Sequence, residues 1–311
     1  MTPEVSVIIP TYNRRAMLLE AIDSVLTQST PAFELIVIDD GSTDGTSETE
    51  HLRRLAETIR IKIDRIDHRG PAAARNRGVA IARAPLVAFL DSDDLWSPTK
   101  LERQLAFMRD NPGCAISQTN EIWIRNGRRV NPGLRHRKRA GDIFIDSLRT
   151  CLIAMSSVMM RTELFRSSGG FDEQMAAAED YDLWLRILID HEARLLDEPL
   201  VTRRGGHPDQ LSATTPALDR FRILALTKLL ADDRLSPARR TSVVEVLAEK
   251  SRIYARGLWR RGKIEEARRY ERVADQARGW LMCAIPEIGC AVESMRSLLS
   301  VEAPYAWRNS P

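Results

Sequence analysis

The sequence predicts an α/β fold, a mostly parallel sheet with helices on both faces, followed by a helical appendage. Three observations lead there. Apolar runs of strand length recur at Val5–Ile9, Phe33–Ile38 and Leu86–Leu90, as strands buried on both faces do. Helical spacing fills the intervals between them. From about Pro216 helical periodicity continues without strands.

The first run is β-branched and ends at Pro10, before the short loop Thr11-Tyr12-Asn13-Arg14. Ala16-Met17-Leu18, Ile22 and Val25-Leu26 then mark a helix to about Gln28. The second run stops on Asp39-Asp40-Gly41-Ser42-Thr43-Asp44-Gly45-Thr46, a turn-rich loop in which Thr43 or Asp44 can cap the next helix. A third strand is expected at Ile61–Ile66. Gly70 to Gly78 opens a small-residue helix, and Leu86–Leu90 is the fourth strand. Right-handed crossovers bring the carboxyl ends of such strands to one edge, where open α/β sheets bind ligands. Tyr12, Asp39, Asp40, Asp91 and Asp93 therefore converge although they lie far apart in the chain.

The strongest local signal is Asp91-Ser92-Asp93-Asp94. Three carboxylates in four residues repel one another unless a cation neutralises them. Alternate acids around a small residue suit a hard ion such as Mg²⁺ or Mn²⁺. The plainer reading is an acidic turn in which Asp94 or Ser97 caps the helix that starts near Pro98.

Beyond it, Leu101–Met108 is helical, and Cys114–Asn120 and Glu121–Ile124 read as strands with a hairpin turn at Asn126-Gly127. Arg128–Arg139 reads as a basic loop, over the site or simply solvated. Ser156–Met160 is a short strand. Ala178 to about His191 is a helix whose spacing puts Asp180, Trp184, Ile187 and Leu188 on one face. An acid in the first turn also suits the helix dipole, so Asp180 has a purely structural reading. Arg203-Arg204-Gly205-Gly206-His207-Pro208 reads as a flexible loop with one His. Helices are expected at Leu218–Ala231, Pro237–Leu258 and Ile264–Leu281. The stretch from Trp280 to Val301 is apolar on one side and could pack on the main domain, the favoured reading, or lie on a membrane surface.

The chain has 311 residues, of which 43% are hydrophobic and 29% charged, with a net charge of +3. That suits a globular domain with an appendage, divided near 1–215 and 216–311. So small a net charge gives no global field for nucleic acid. Cys114, Cys151, Cys283 and Cys290 form no CxxC pair, so a reduced, cytoplasmic chain is expected. No signal peptide or membrane-spanning run is read.

Val5 to Arg14, Asp39 to Thr46, Gly70 with Ala74-Arg75-Asn76-Arg77-Gly78, Leu90 to Asp94, and Glu179-Asp180 together resemble the family-2 glycosyltransferases of the GT-A fold. They follow that family's order and spacing across roughly residues 4 to 210. The resemblance implies a Rossmann-like mixed sheet and inverting transfer of a sugar from a nucleotide diphosphate donor, with UDP the expected nucleotide. The acceptor would be a saccharide or lipid-linked saccharide in cell-surface polysaccharide or glycoconjugate synthesis. It implies that Pro10, Thr11 and Tyr12 pack on the nucleoside, that Asp40 reads the base with Asp39 beside it, and that Gly70 and Arg75 lie near base and diphosphate. Asp91 and Ser92 would face the nucleotide sugar, Asp93 would bind Mn²⁺ or Mg²⁺ with His207 as a second ligand, and Asp180 would be the catalytic base. An ordinary Asp, with a pKa of about 3.9, is a weak base, so it would take the acceptor proton late in the displacement. The enzyme would work in the cytoplasm, with peripheral contact at the inner face of the membrane through its C-terminal helices. Two other readings are a nucleotidyltransferase, which wants a Gly-rich basic loop where Pro10-Thr11-Tyr12-Asn13 stands, and a non-catalytic nucleotide-sugar-binding module.

Overall fold

The structure is a computed structural model that describes residues 2–46, 52, 54, 57, 61–207 and 218–282. The described residues fall into two compact units. The first takes in Met1–Ile143, Leu152–Glu173 and His191–Gln210, and the second Phe144–Cys151, Gln174–Asp190 and Leu211–Pro311.

The first unit holds the sheet. Its strands are β1 (Val5–Thr11), β2 (Phe33–Asp39), β3 (Ile61–Arg65), β4 (Leu86–Phe89), β5 (Leu95–Trp96), β6 (Ile116–Arg125), β7 (Arg128–Val130), β8 (Met159–Arg161) and β9 (Ala193–Gly205). The order is β3-β2-β1-β4-β8-β6-β9-β5, with β7 on β6. The four early strands are parallel, with Val5 opposite both Phe33 and Leu86. β8 joins β4 antiparallel, which makes the sheet mixed. β1 and β2 are buried along their whole length, as their composition requires. The helices α1 (Arg15–Leu26), α2 (Pro71–Ala80), α3 (Lys100–Asp110) and α5 (Thr162–Ser167) belong to this unit. Leu18, Ile22 and Val25 of α1 and Leu101 and Leu105 of α3 share one apolar core with Val5, Val7, Ile9, Leu35 and Val37.

Several boundaries differ from expectation for physical reasons. β1 runs through Pro10 to Thr11. Alternate residues of a parallel strand bond to opposite neighbours, so Pro10 faces the β4 side, as Ile8 does. There the ladder has already ended at the bond from Leu90 to Ile8, so the missing N–H of proline costs nothing. Ile116–Arg125 is one strand rather than two, with register shifts around Asn120 that absorb the irregularity. Arg203, Arg204 and Gly205 are the end of β9, paired with Trp123, Ile124 and Arg125, and not a flexible loop. The hairpin turn at Asn126-Gly127 forms, both residues having positive φ, 49° and 72°.

The second unit is helical: α4 (Phe144–Arg149), α6 (Glu179–Leu188), α7 (Asp219–Leu229), α8 (Pro237–Arg260) and α9 (Ile264–Met282). The Tyr181 hydroxyl donates to the carbonyl of Leu148 at 2.6 Å, joining α6 to α4. Buried Asp182 pairs with Lys228 at 2.8 Å and with Arg186 at 2.9 Å, joining α6 to α7. Tyr254 and Tyr270 meet edge to face at 4.5 Å between α8 and α9. Among the described residues no helix is long and apolar enough to cross a membrane. Cys283, Cys290 and the amphipathic stretch from residue 283 to 301 lie outside the described residues.

Candidate active site

β1, β2 and β4 end side by side, so the loops that follow them meet at the carboxyl edge of the first unit. After β1, Asn13 takes a left-handed φ of 50°. Asn tolerates that conformation better than most residues. The Ser42 hydroxyl accepts the Asn13 amide at 2.9 Å, and the Asn13 side chain accepts the Thr43 amide at 2.8 Å. The first two loops are thus tied together. Asp39 holds the second loop by accepting the Ser42 amide at 2.8 Å, while its other oxygen lies 3.7 Å from Arg65.

Asp40 is buried and faces residues 68–70. It accepts the amides of Arg69 and Gly70, each at 2.8 Å, and His68 Nδ1 lies 2.8 Å from its Oδ2. Burial pushes its pKa up, opposed by the two amides and the imidazole. Gly70 can place its N–H there because its φ is +90°, a left-handed value that favours glycine. Tyr12 stacks on His68, with centroids 3.8 Å apart and planes 14° from parallel. Thr11 is buried, and its Oγ1 has no hydrogen-bond partner among the described residues.

The third loop carries the acids. One oxygen of each of Asp91, Asp93 and Asp94 lies within 4.8 Å of the others. Each acid has its own companions. Arg75, buried on α2, donates to Asp91 at 2.7 Å. Asp93 has Arg14 at 3.2 Å and His207 Nε2 at 2.9 Å. Asp94 accepts the Ser156 hydroxyl at 2.6 Å and the Arg204 amide at 2.9 Å. Burial pushes the Asp94 pKa well up, and the charges of Asp93 and Asp91 push it further the same way. Asp94 is therefore not the solvated helix cap of the plainer reading. The cap position of α3 is Thr99, with no side-chain capping bond. Ser92 between the acids is buried.

Of the residues picked out from sequence, Pro10, Thr11, Tyr12, Asp39, Asp40, Gly70, Arg75, Asp91, Ser92, Asp93 and His207 lie in this unit. Asp180 lies in the second, in the first turn of α6. Its Oδ1 accepts the Tyr181 amide at 2.6 Å, and the Cys151 thiol donates to Oδ2 at 3.5 Å. Ala178, just before it, has a left-handed φ of 58°, a strained value for alanine of the kind found at functional turns. Sequence reading gave no site role to Arg14, His68, Ser156 and Arg204, and left Asp94 as either a clustered acid or a helix cap. Arg14 and Asp94 stand beside picked residues, but their partners are 62 to 110 positions away, a separation no local pattern reports.

Comparison with known proteins gives a consistent answer. The model of "Glycosyl transferase family 2" matches residues 6–167. A putative teichuronic acid biosynthesis glycosyltransferase, TuaG of Bacillus subtilis, is 34% identical over 189 residues, 60% of this chain and 72% of the relative. The Escherichia coli UDP-Glc:alpha-D-GlcNAc-diphosphoundecaprenol beta-1,3-glucosyltransferase WfgD is 34% identical over 188 residues, 60% of this chain and 70% of the relative. An uncharacterized Rickettsia felis glycosyltransferase is 39% identical over 197 residues, 63% of this chain, and the match spans only 32% of that longer protein. Among solved structures, S. aureus TarS 1-349 in complex with UDP-GlcNAc has a TM-score of 0.68 at 22% identity, over 96% of this chain and 88% of the other. The mannosyltransferase PcManGT from Pyrobaculum calidifontis, in complex with GDP-Man and Mn²⁺, has a TM-score of 0.58 at 21% identity, over 98% and 82%. The chain spans about a third of the length of the longer Rickettsia relatives it matches. The family match and the mixed sheet with its strand-end loops agree: the chain belongs to glycosyl transferase family 2, and it has the GT-A fold.

Proposed function

We propose that the protein moves a sugar from a nucleoside diphosphate, UDP in the first instance, to an acceptor hydroxyl with inversion, in building a cell-surface polysaccharide or glycoconjugate. The observation that carries this reading is the acid cluster at the end of β4, with Arg75 of α2 on Asp91 at 2.7 Å and Asp40 at the end of β2 accepting the Gly70 amide at the start of that helix at 2.8 Å. WfgD, a UDP-Glc-dependent glucosyltransferase to a lipid-linked GlcNAc, supports UDP and a saccharide acceptor, and TuaG, of teichuronic acid biosynthesis, supports a cell-surface polysaccharide. In this reading Pro10, Thr11 and Tyr12 bound the nucleoside. Asp40, oriented by the Arg69 and Gly70 amides, keeps lone pairs for a base N–H. Arg75 adds positive charge beside the diphosphate, and Asp91 and Ser92 face the sugar nucleotide.

The donor set fits a hard divalent cation, Mn²⁺ or Mg²⁺. Asp93 would hold it with His207, whose Nε2 is 2.9 Å from Asp93, and Asp91 lies in the same acid cluster. Asp94 is a structural neighbour, since both its oxygens are engaged. Bound there, the cation supplies charge against that developing on the leaving diphosphate. The chain does the rest. The acceptor oxygen attacks the anomeric carbon while the bond to the diphosphate oxygen breaks and its electron pair leaves with the diphosphate. The acceptor proton passes to Asp180, whose carboxylate is oriented by the Tyr181 amide and the Cys151 thiol. A cytoplasmic setting is part of this reading and rests on the four widely spaced cysteines of the sequence, none in a CxxC pair.

The test is a screen of nucleotide sugars for Mn²⁺-dependent hydrolysis, with the first-formed anomer followed by NMR. An α-linked UDP sugar should release the β anomer first. Release of the α anomer would exclude single displacement, and failure of every sugar nucleotide to bind would remove the donor class.

A further inference from the structure

A cavity of about 360 Å³ lies along β6, with Glu121, Trp123, Leu134, His136, Arg137 and Lys138 in its wall. It belongs to the first unit and to none of the strand-end loops. Glu121 and Trp123 are two residues apart on the strand, so their side chains leave the same face. The Glu121 side chain is only 6% exposed. Its Oε1 accepts the Trp123 indole N–H at 2.9 Å and has Lys138 and Arg203 each at 3.8 Å. Its Oε2 is buried with no hydrogen-bond partner among the described residues. A buried carboxylate oxygen without a donor is costly unless something supplies one. Leu134, also in the cavity wall, is 89% exposed and presents an aliphatic surface. An indole, an aliphatic side chain and a hydroxyl acceptor in one cavity match a pyranose, which offers C–H faces and O–H donors.

The charge around the cavity narrows the class. From Asn126 to Gly141 the chain carries Arg128, Arg129, Arg135, Arg137, Lys138 and Arg139 and no acid. Glu121 is already balanced by Lys138 and Arg203, so the surrounding field is positive. Adjacent residues of β9 touch the cavity wall and the acid cluster. Arg203 lies 4.9 Å over the Trp123 ring, and the next residue, Arg204, gives its amide to Asp94.

We propose that this cavity is a subsite for one sugar unit of an anionic saccharide chain, the acceptor or its growing end, held beyond the unit that reacts. The proposal deepens the transferase reading and rests on it for the word acceptor, whereas the binding itself does not. The ring lies against Trp123 and Leu134, a hydroxyl donates to Glu121 Oε2, and the basic stretch 128–139 holds the negative charges of neighbouring units.

The test uses the full chain and trigalacturonate, its neutral methyl ester and inorganic phosphate as probes. Binding is read by calorimetry and by the Trp123 indole N–H resonance, assigned with Trp123→Phe. Trigalacturonate should bind and move that resonance. The methyl ester should bind at least ~10-fold more weakly, the loss expected when about 1.4 kcal/mol of charge attraction is removed. Leu134→Ala, on an exposed residue, and Arg128→Gln, which removes one exposed charge of the basic stretch, should each weaken trigalacturonate severalfold. Both should leave UDP binding unchanged, which separates failure here from failure of the donor site. Equal binding of the ester, displacement by phosphate at equal concentration, no binding, or full affinity in both variants would each overturn the proposal.

Discussion

The carboxylate of Asp94 accepts the backbone N–H of Arg204 at 2.9 Å, across 110 positions of sequence, and so fastens the acid loop to the end of β9. Its second oxygen takes the Ser156 hydroxyl, which in turn accepts the Asp91 amide at 3.1 Å. The acids that face the site are thus set by one that does not. Asp94→Ala should strand the Arg204 amide and the Ser156 hydroxyl and cost about 1–3 kcal/mol in urea unfolding. Asp94→Asn keeps an acceptor for the amide and should cost clearly less. Equal losses in the two variants would count against the clamp.

Gly78 decides how closely α2 approaches the sheet. A Cβ there would sit 2.5 Å from Ile8 Cγ2 on β1. Helix propensity alone favours Gly78→Ala by about 1 kcal/mol. The clash with a fully buried neighbour outweighs it, so the variant should lose about 1–3 kcal/mol and melt lower. A higher melting temperature would show that α2 has room to move away.

Glu34 is a buried acid remote from the site, and it should contribute to acid stability. It accepts the Ser6 hydroxyl and the Arg83 amide, each at 2.7 Å, and the Arg83 guanidinium at 2.9 Å. Burial works to raise its pKa, but these donors outweigh burial and hold the carboxyl below its ordinary value. A depressed pKa adds stability that is present above the unfolded value of about 4.3 and lost as pH falls through the folded one. Glu34→Ala should cost roughly 2–4 kcal/mol at neutral pH. It should also flatten the fall in melting temperature below about pH 4.3. An unchanged acid limb would move that role to another carboxylate.

Asp180→Asn keeps the size of the side chain and removes its capacity to take a proton. Transfer should fall by at least ~10²-fold, within the usual range for a lost general base, while the affinity for UDP stays within about twofold. Turnover close to wild type would remove Asp180 from the mechanism.

The parts of the molecule legible in sequence were those that one stretch determines by itself. β1, β2 and β4 are apolar runs because they are buried on both faces, and their ends announce Tyr12, Asp40 and Asp91–Asp93. β9 was not legible. Its burial alternates irregularly, Pro199 interrupts it, and Arg203-Arg204-Gly205-Gly206 has the composition of a loop. Only its partner β6 makes it a strand. Asp94 could be read from sequence either as one acid of the cluster or as a helix cap, for a related reason. An acid just before a helix suits a cap, and only Ser156 and Arg204, brought there by the fold, give it another use. His68 is a lone His in sequence and acquires meaning only from Tyr12 and Asp40.

The central claim is that Asp93 and its neighbours bind a nucleoside diphosphate together with a divalent cation. The most direct measurement is calorimetric titration of UDP into the wild-type chain with Mn²⁺, into the same chain in excess chelator, and into Asp93→Asn with Mn²⁺. Affinity should fall by ~10-fold or more in the last two, the loss of at least about 1.4 kcal/mol. Equal affinity in all three would contradict the claim.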